Sequence, residues 1–559
     1  AFAPLAILAL ILGGGFAFLF LRARALPAGP ALLGALAFAF SGHCLANLHY
    51  SCKVDALVWL PAAFLAIERL RRGPRTGPAA GLAASLGLSG LAGFPQVTAY
   101  VILATGAYGA VRLSRVATEV RARTLLLAGA AGIAGLALAG VQLLPAAEAS
   151  RESLRSLQTV ESLRSASLET PLLSHFLLPH AFASATEAPS GPFEPFAWLL
   201  LDRPTTADTR FLFTEAALYL GVAPLLLLLA GLFRREGRFP AAGFVVSLLF
   251  AFGSPLLAPL SWTPIARVGV PARAFAVGAF FAAWLVALGA ERVLRPETTR
   301  LRLSLAGCAL LLVLFGGGGA LAIRPDRIEA GAVPRLVERW KGSPEAARIE
   351  PLDEAKVRSL FPPAAFAQSG RRLRADLLRL AILAALSGGA LLVRRNRAAA
   401  LAAVSIADLF AFGWPILAPR KEGVLFPECP PVSATRAAAG DLRVVRCDPT
   451  PGGEPAQVYN LLRSNLLGEY GIRDLSGHMA FAPRRPIELF ESLDPRTRYR
   501  DWFARLTLPA QVDEPLLDAA GVGAVLSAEA IEHPRLEEIH REEGFHVYRR
   551  RDALPRAWV

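Results

Sequence analysis

Apolar runs long enough to cross or nearly cross a bilayer recur about twelve times along the chain. They fall at roughly 1–21, 31–43, 54–68, 79–93, 97–111, 124–145, 213–233, 239–258, 272–290, 303–323, 375–393 and 398–417. A chain built this way cannot hide every run in one water-soluble core, so the pattern predicts a polytopic helical membrane protein. Composition agrees: 54% of the 559 residues are hydrophobic, only 19% are charged, and the mean hydropathy is +0.43. The chain opens inside an apolar run and its single methionine is Met479. It therefore reads as a segment of a longer protein, cut at both ends.

The net charge of +14 would suggest nucleic acid in a soluble protein. Here the basic residues lie in short clusters between apolar runs, which excludes that class. Each crossing switches sides, and Arg22/Arg24, the arginines of 69–75, 112–123, 234–238 and 292–302, and those of 394–397 then share one side. By the positive-inside rule that side is cytoplasmic. The other side receives the loops 146–212 and 324–374 and everything from Pro419. Arg371, Arg372 and Arg374 run against this assignment, standing on the outer side next to a crossing.

From Pro419 the composition changes to that of a soluble α/β module. Short apolar runs at 442–445, 523–526 and 546–548 read as strands and 515–520 as a helix. The expected fold is therefore mainly α: a transmembrane domain over 1–418 and an extracytoplasmic α/β domain over 419–559.

The stretch 33–70 is the expected centre of the membrane domain. Its two apolar runs flank a polar crown of His43, Cys44, Asn47, His49, Tyr50, Cys52, Lys53 and Asp55. Polar groups gathered between two crossings form a plausible wall of a site at the water–lipid boundary. Asp55 and His49 are weak candidates for acid–base work there, and Asp55 can equally serve as a favourable charge at a helix start. The His and Cys spacing fits no standard zinc pattern, so no metal site is assigned, although a divalent ion is not excluded. Cys44/Cys52 and Cys429/Cys447 are possible disulfide pairs.

Other polar groups punctuate the apolar background. Arg267 and Arg273 flank Val270-Pro271 at the mouth of the ninth crossing, where guanidinium pairs can grip a lipid phosphate. Gln96 sits in the tight turn at 93–96. Gln142, Glu148 and Arg151 mark the end of the sixth crossing, with Gln142 and Glu148 roughly 9 Å apart along a helix axis. Glu148 is a further weak candidate for a base, though pairing with Arg151 or Arg155 is simpler. His175 and His180, candidates with Gln96, Gln142 and Arg151 for binding the substrate, lie in the long outer loop with Glu187, Glu194, Asp202 and Asp208, the largest outward-facing reserve of acid–base groups before the C-terminal domain. The glycine run 316–319 lacks a following Gly-Lys-Ser/Thr, which excludes a P-loop, and no Ser–His–Asp or dinucleotide pattern occurs.

In several ordered stretches the chain resembles the bacterial YfhO membrane-protein family, and through it the GT-C class of polytopic glycosyltransferases. These are AFAFSG at 37–42, WLPAAFLAIERL at 59–70, GFPQVTAY at 93–100, QLLPAAEASRESLR at 142–155 and YLGVAPLLLLLAGL at 219–232. RVGVPARA at 267–274, ADLF at 407–410, GVGAVLS at 521–527 and VYRRRDALPRAWV at 547–559 continue the series. The resemblance implies transfer of a sugar from a polyprenyl-phosphate carrier to a cell-surface glycan or teichoic-acid-type polymer, outside the bacterial cytoplasmic membrane. It implies no cofactor beyond the lipid-linked sugar as co-substrate. It also implies an essential acid in a first large outer loop, expected upstream of Ala1, so the catalytic residue is unassigned. A lipid-linked glycan transporter or flippase, or a non-catalytic scaffold for envelope assembly, would carry similar crossings.

Overall fold

The structure is a computed structural model. It describes residues 2–153, 159, 164, 166–182, 195–201, 214–255, 269–341, 354–361, 363–417, 428–447, 466–475, 484–493, 506, 509–542, 544–551 and 553–555. The chain divides into two compact units, one of residues 1–146 and 159–418, the other of 147–158 and 419–559.

The first unit is helical. Each of the twelve apolar runs carries a helix, because a backbone in hydrocarbon must satisfy its hydrogen bonds within its own segment. Among the described residues seven helices are long and apolar enough to cross a membrane: Pro4–Ala23, Ala28–Ala46, Thr118–Leu138, Pro271–Leu294, Thr299–Ala322, Pro363–Leu392 and Arg397–Ile416. The apolar helices Val222–Leu232 and Arg238–Ala251 are shorter. The expected crossing at 54–68 is two helices, Ser51–Leu57 and Trp59–Arg72. These differences from the expected twelve arise because hydropathy marks a run without fixing where its helix bends or stops.

Helix Phe275–Leu294 is the central pillar. Its residues 275–290 carry no charge and are buried all round, as expected of a helix that is apolar on every face. Phe280 and Trp284 on this helix meet Phe20, and Phe280 also meets Phe38 and Phe64, while Tyr108 stacks on Phe64 with centroids 4.1 Å apart. Gly289 on the pillar faces Gly231 on Val222–Leu232. A Cβ at Gly289 would stand 1.8 Å from the Leu227 carbonyl oxygen, and one at Gly231 would stand 2.1 Å from that of Leu285. The two helices approach as closely as bare backbone permits, the use of small residues typical of membrane helix pairs.

At one end of the bundle Glu68, fully buried, gathers the arginines. Arg112 donates to both its oxygens (2.6 and 3.0 Å), Arg24 and Arg71 each at 3.3 Å, and the Tyr108 hydroxyl also bonds it. A carboxylate inside the bundle persists because every lone pair is met by a charged or hydroxyl donor.

The second unit holds a five-stranded sheet in the order β2-β1-β3-β5-β4. The strands are β1 (Arg443–Arg446), β2 (Arg473–Asp474), β3 (Val522–Ser527), β4 (Leu536–Glu542) and β5 (Phe545–Arg550). β1 runs parallel to β2 and β3, and β5 is antiparallel to β3 and β4. β3 is buried along its whole length, with core side chains on both faces of the sheet. β1, β3 and β5 overlap the three expected strands, and helix Pro515–Ala519 the expected helix. All five cysteines are free thiols, so neither possible pair is bridged.

Candidate functional site

The polar crown does not continue the helix Ala28–Ala39. Ser41 restarts the chain, its hydroxyl accepting from the Cys44 amide at 3.4 Å, and the Gly42 amide is drawn to the Tyr219 carbonyl at 2.7 Å. A Cβ at Gly42 would stand 3.0 Å from that carbonyl oxygen, so the close approach requires glycine. The chain then folds through Gly42–Ala46, the single turn Leu48–Tyr50 and the helix Ser51–Leu57. Asn47 fastens these pieces. Its amide donates to the carbonyls of His43 and Thr214, both at 2.9 Å, and its oxygen accepts from Lys53 Nζ at 3.0 Å.

Lys53 leads to the centre of the site. Its ammonium also meets Glu215 Oε1 at 2.7 Å, and Arg273 Nε reaches the same oxygen at 2.9 Å. Lys53 and Glu215 are 4% and 5% exposed, whereas the Arg273 side chain is 19% exposed. Arg273 Nη1 donates to Gln96 Oε1 at 3.1 Å, and the Gln96 amide donates to the Val270 carbonyl (2.7 Å) and the Tyr100 hydroxyl (2.9 Å). The Phe94 ring lies beneath both cations, 5.1 Å from the Arg273 guanidinium and 5.7 Å from Lys53 Nζ. Cation–π contacts of this kind strengthen when desolvated. Glu215 Oε2 is buried with no hydrogen-bond partner among the described residues.

Four separate stretches therefore converge: the crown, the turn at 93–96, residues 214–216 and the Pro271–Ala274 turn that opens the central pillar. Gly93 (φ +81°) makes the sharp entry, and Pro95 starts the helix that carries Gln96. Two cations share one carboxylate oxygen in a largely dry setting. Such a group carries an unbalanced positive charge, and an anion is the ligand that would complete it.

Of the sequence candidates, the structure brings Arg273 and Gln96 together with Lys53. Arg267 lies outside the described residues, as does the His49 side chain. Asp55 is half-buried and bonded to Ser51, but it is the fifth of the seven residues of helix Ser51–Leu57, which has no acid in its first turn, so the expected charge at a helix start is not what places it; the crossing begins with this separate short helix rather than at Val54. Gln142 is partly buried, its amide 3.8 Å from where a side chain on Gly93 would begin. Glu148 and Arg151 are exposed at the end of helix Gly140–Arg151, which from Ala147 onward belongs to the second unit.

The two loop histidines are structural in their contacts. His175 Nδ1 donates to the Ala216 carbonyl at 2.8 Å, anchoring the segment beside Glu215. The His180 amide donates to Asp376 Oδ2 at 2.6 Å, and its ring stacks on Phe412. Burial lowers the His175 pKa from 6.5 to about 4. Its stabilising effect is therefore complete above pH 6.5 and is lost as pH falls toward 4, because the unfolded chain binds the proton first. The expected loss by pH 4 is about 3 kcal/mol, at 1.36 kcal/mol per unit. Thermal melting across that pH range checks it, and His175→Gln should flatten the curve.

Sequence reasoning missed Glu215 and Asp408. Asp408 accepts from the Tyr219 hydroxyl (2.6 Å), the Val222 amide (2.7 Å) and Arg379 (2.9 Å), tying Arg397–Leu417 to the start of Val222–Leu232. Each is a lone acid in an apolar context, and that isolation is the available signal.

No family model matches the chain, and no curated protein matches it.

Proposed function

We propose that this chain is an integral-membrane glycosyltransferase of GT-C type, transferring a sugar from a polyprenyl-phosphate carrier to a cell-surface glycan or teichoic-acid-type polymer. The transfer is placed at the outer face of the bacterial cytoplasmic membrane, with the second unit on the same side helping to recognise the acceptor. The observation that carries the reading is the pairing of Lys53 and Arg273 on a single carboxylate oxygen. The resemblance to YfhO proteins adds the reaction class.

In this reading the carrier phosphate docks on the more exposed Arg273 and draws Lys53 from the inner side, while Glu215 and Gln96 hold the two cations in register beforehand. An acceptor hydroxyl attacks the anomeric carbon and gives its proton to a general base. The bond from that carbon to the phosphate oxygen breaks, and its electron pair leaves on the phosphate, where the cations stabilise the new charge.

The test uses the full-length protein in proteoliposomes with polyprenyl-phosphate-linked sugars. Removing Arg273 with Arg273→Ala should lower transfer by about 10²-fold, the usual loss for one charge-stabilising donor, with a far smaller effect on folding. Donor-dependent transfer that is indifferent to Arg273 would remove this site from the reaction. Movement of the carrier across the bilayer without transfer would instead mark a transporter.

A further inference from the structure

The first unit contains a cavity of about 700 Å³ that takes no part in the cation cluster. Its wall is apolar, with Ala181 and Phe182 from one loop, Phe196 and Leu200 from the helix Pro195–Leu200, and Leu373 from Pro363–Leu392. The volume falls within the range of about 300–1,000 Å³ usual for small-ligand sites. One side is closed by helix Ile328–Lys341. Arg339 staples it to the facing wall, donating to the carbonyls of Leu199 (2.7 Å) and Leu201 (2.8 Å). Arg335, one turn earlier, is exposed on the rim beside Glu338, the one acid among the described lining residues.

The helix that supplies Leu373 has 30 residues, about 45 Å at 1.5 Å per residue, against a hydrocarbon core of about 30 Å. About a third of its length therefore exceeds the hydrocarbon core, and the charges put that excess at the N-terminal end, where Leu373, the eleventh residue, stands between Arg372 and Arg374 with Arg371 beside them. These are the arginines that ran against the positive-inside assignment. Positive charge retained against that bias, next in sequence to a residue that lines an apolar cavity, has a direct electrostatic use.

We propose that this cavity takes a hydrocarbon chain of an anionic membrane phospholipid, whose phosphate rests on Arg335 and the arginines flanking Leu373. The chain fills the apolar wall, and the excess of rim arginines over Glu338 selects the negative headgroup. The site does not depend on the sugar-transfer reading, and its readout is binding alone.

The full chain, delipidated in detergent, would be titrated with phosphatidylglycerol and with phosphatidylcholine and read by native mass spectrometry, with glycerol 3-phosphate as soluble competitor. Phosphatidylglycerol should bind about tenfold more tightly, in keeping with the attraction of surface arginines for anionic lipid. Arg335→Glu should erase the preference while leaving chain binding. Ala181→Phe, which fills the cavity, should remove both lipids; Leu200→Glu does the same from an exposed position that the packing of the bundle does not need. Equal binding of the two lipids, phosphatidylglycerol binding that survives both Ala181→Phe and Leu200→Glu, or full displacement by glycerol 3-phosphate would overturn the proposal.

Discussion

Replacing Glu215 with leucine is expected to destabilise the first unit by about 3–5 kcal/mol, the usual cost of removing one partner from a buried ion pair. The reason is that Lys53 and Arg273 both terminate on Glu215 Oε1, and Lys53 is almost wholly enclosed. Without the carboxylate, Lys53 keeps, among the described residues, Asn47 Oδ1 and the faces of Tyr50 and Phe94 against its charge. Thermal unfolding in detergent measures the loss. Pairing the change with Lys53→Met should recover much of it, because the double variant no longer buries an uncompensated ammonium. Unfolding of Glu215→Leu at the parent temperature would show that the cluster is solvated and that its charges need no partner.

The second large effect is expected at Gly289. A Cβ there meets the Leu227 carbonyl oxygen at 1.8 Å, and that oxygen belongs to backbone that no rotamer change can move. Gly289→Ala must push Val222–Leu232 away from the central pillar, at a cost of about 1–3 kcal/mol for overpacking. Gly289→Leu should exceed that and prevent recovery of folded protein. Gly317 and Gly318, where an added Cβ meets nothing within 4 Å, are the controls. Alanine at either should be neutral or stabilising by up to about 1 kcal/mol through helix propensity alone. Equal stability of Gly289→Ala and Gly317→Ala, by thermal unfolding, would contradict the close packing.

The apolar runs made the helices legible, and short hydrophobic segments made β1, β3 and β5 legible. β4 was not, because LEEIHRE has only two apolar residues, Leu536 and Ile539, out of alternating register, and is otherwise charged, as an edge strand protected from further pairing should be. Arg273 and Gln96 stood out because polar groups in an apolar setting are expensive and need a reason. Glu215 shares that mark, but its partner Lys53 is 162 residues away, and no local pattern announces a pairing at such separation. His175 and His180 looked like a reserve of acid–base groups. Their contacts are with the Ala216 carbonyl, Asp376 and Phe412, and sequence cannot tell a loop that packs from one that reacts.

Glu68 bears on how the protein is made. Arg24, Arg71 and Arg112 belong to basic clusters of the kind that the positive-inside rule weighs during insertion, a rule in which acidic residues count for little. In the finished bundle the same arginines converge on Glu68. The residues read as an address while the chain is being threaded thus become a clasp once it has arrived. On that rule orientation is decided first, by the arginines, and the folded bundle then closes them on a carboxylate that had no vote in it.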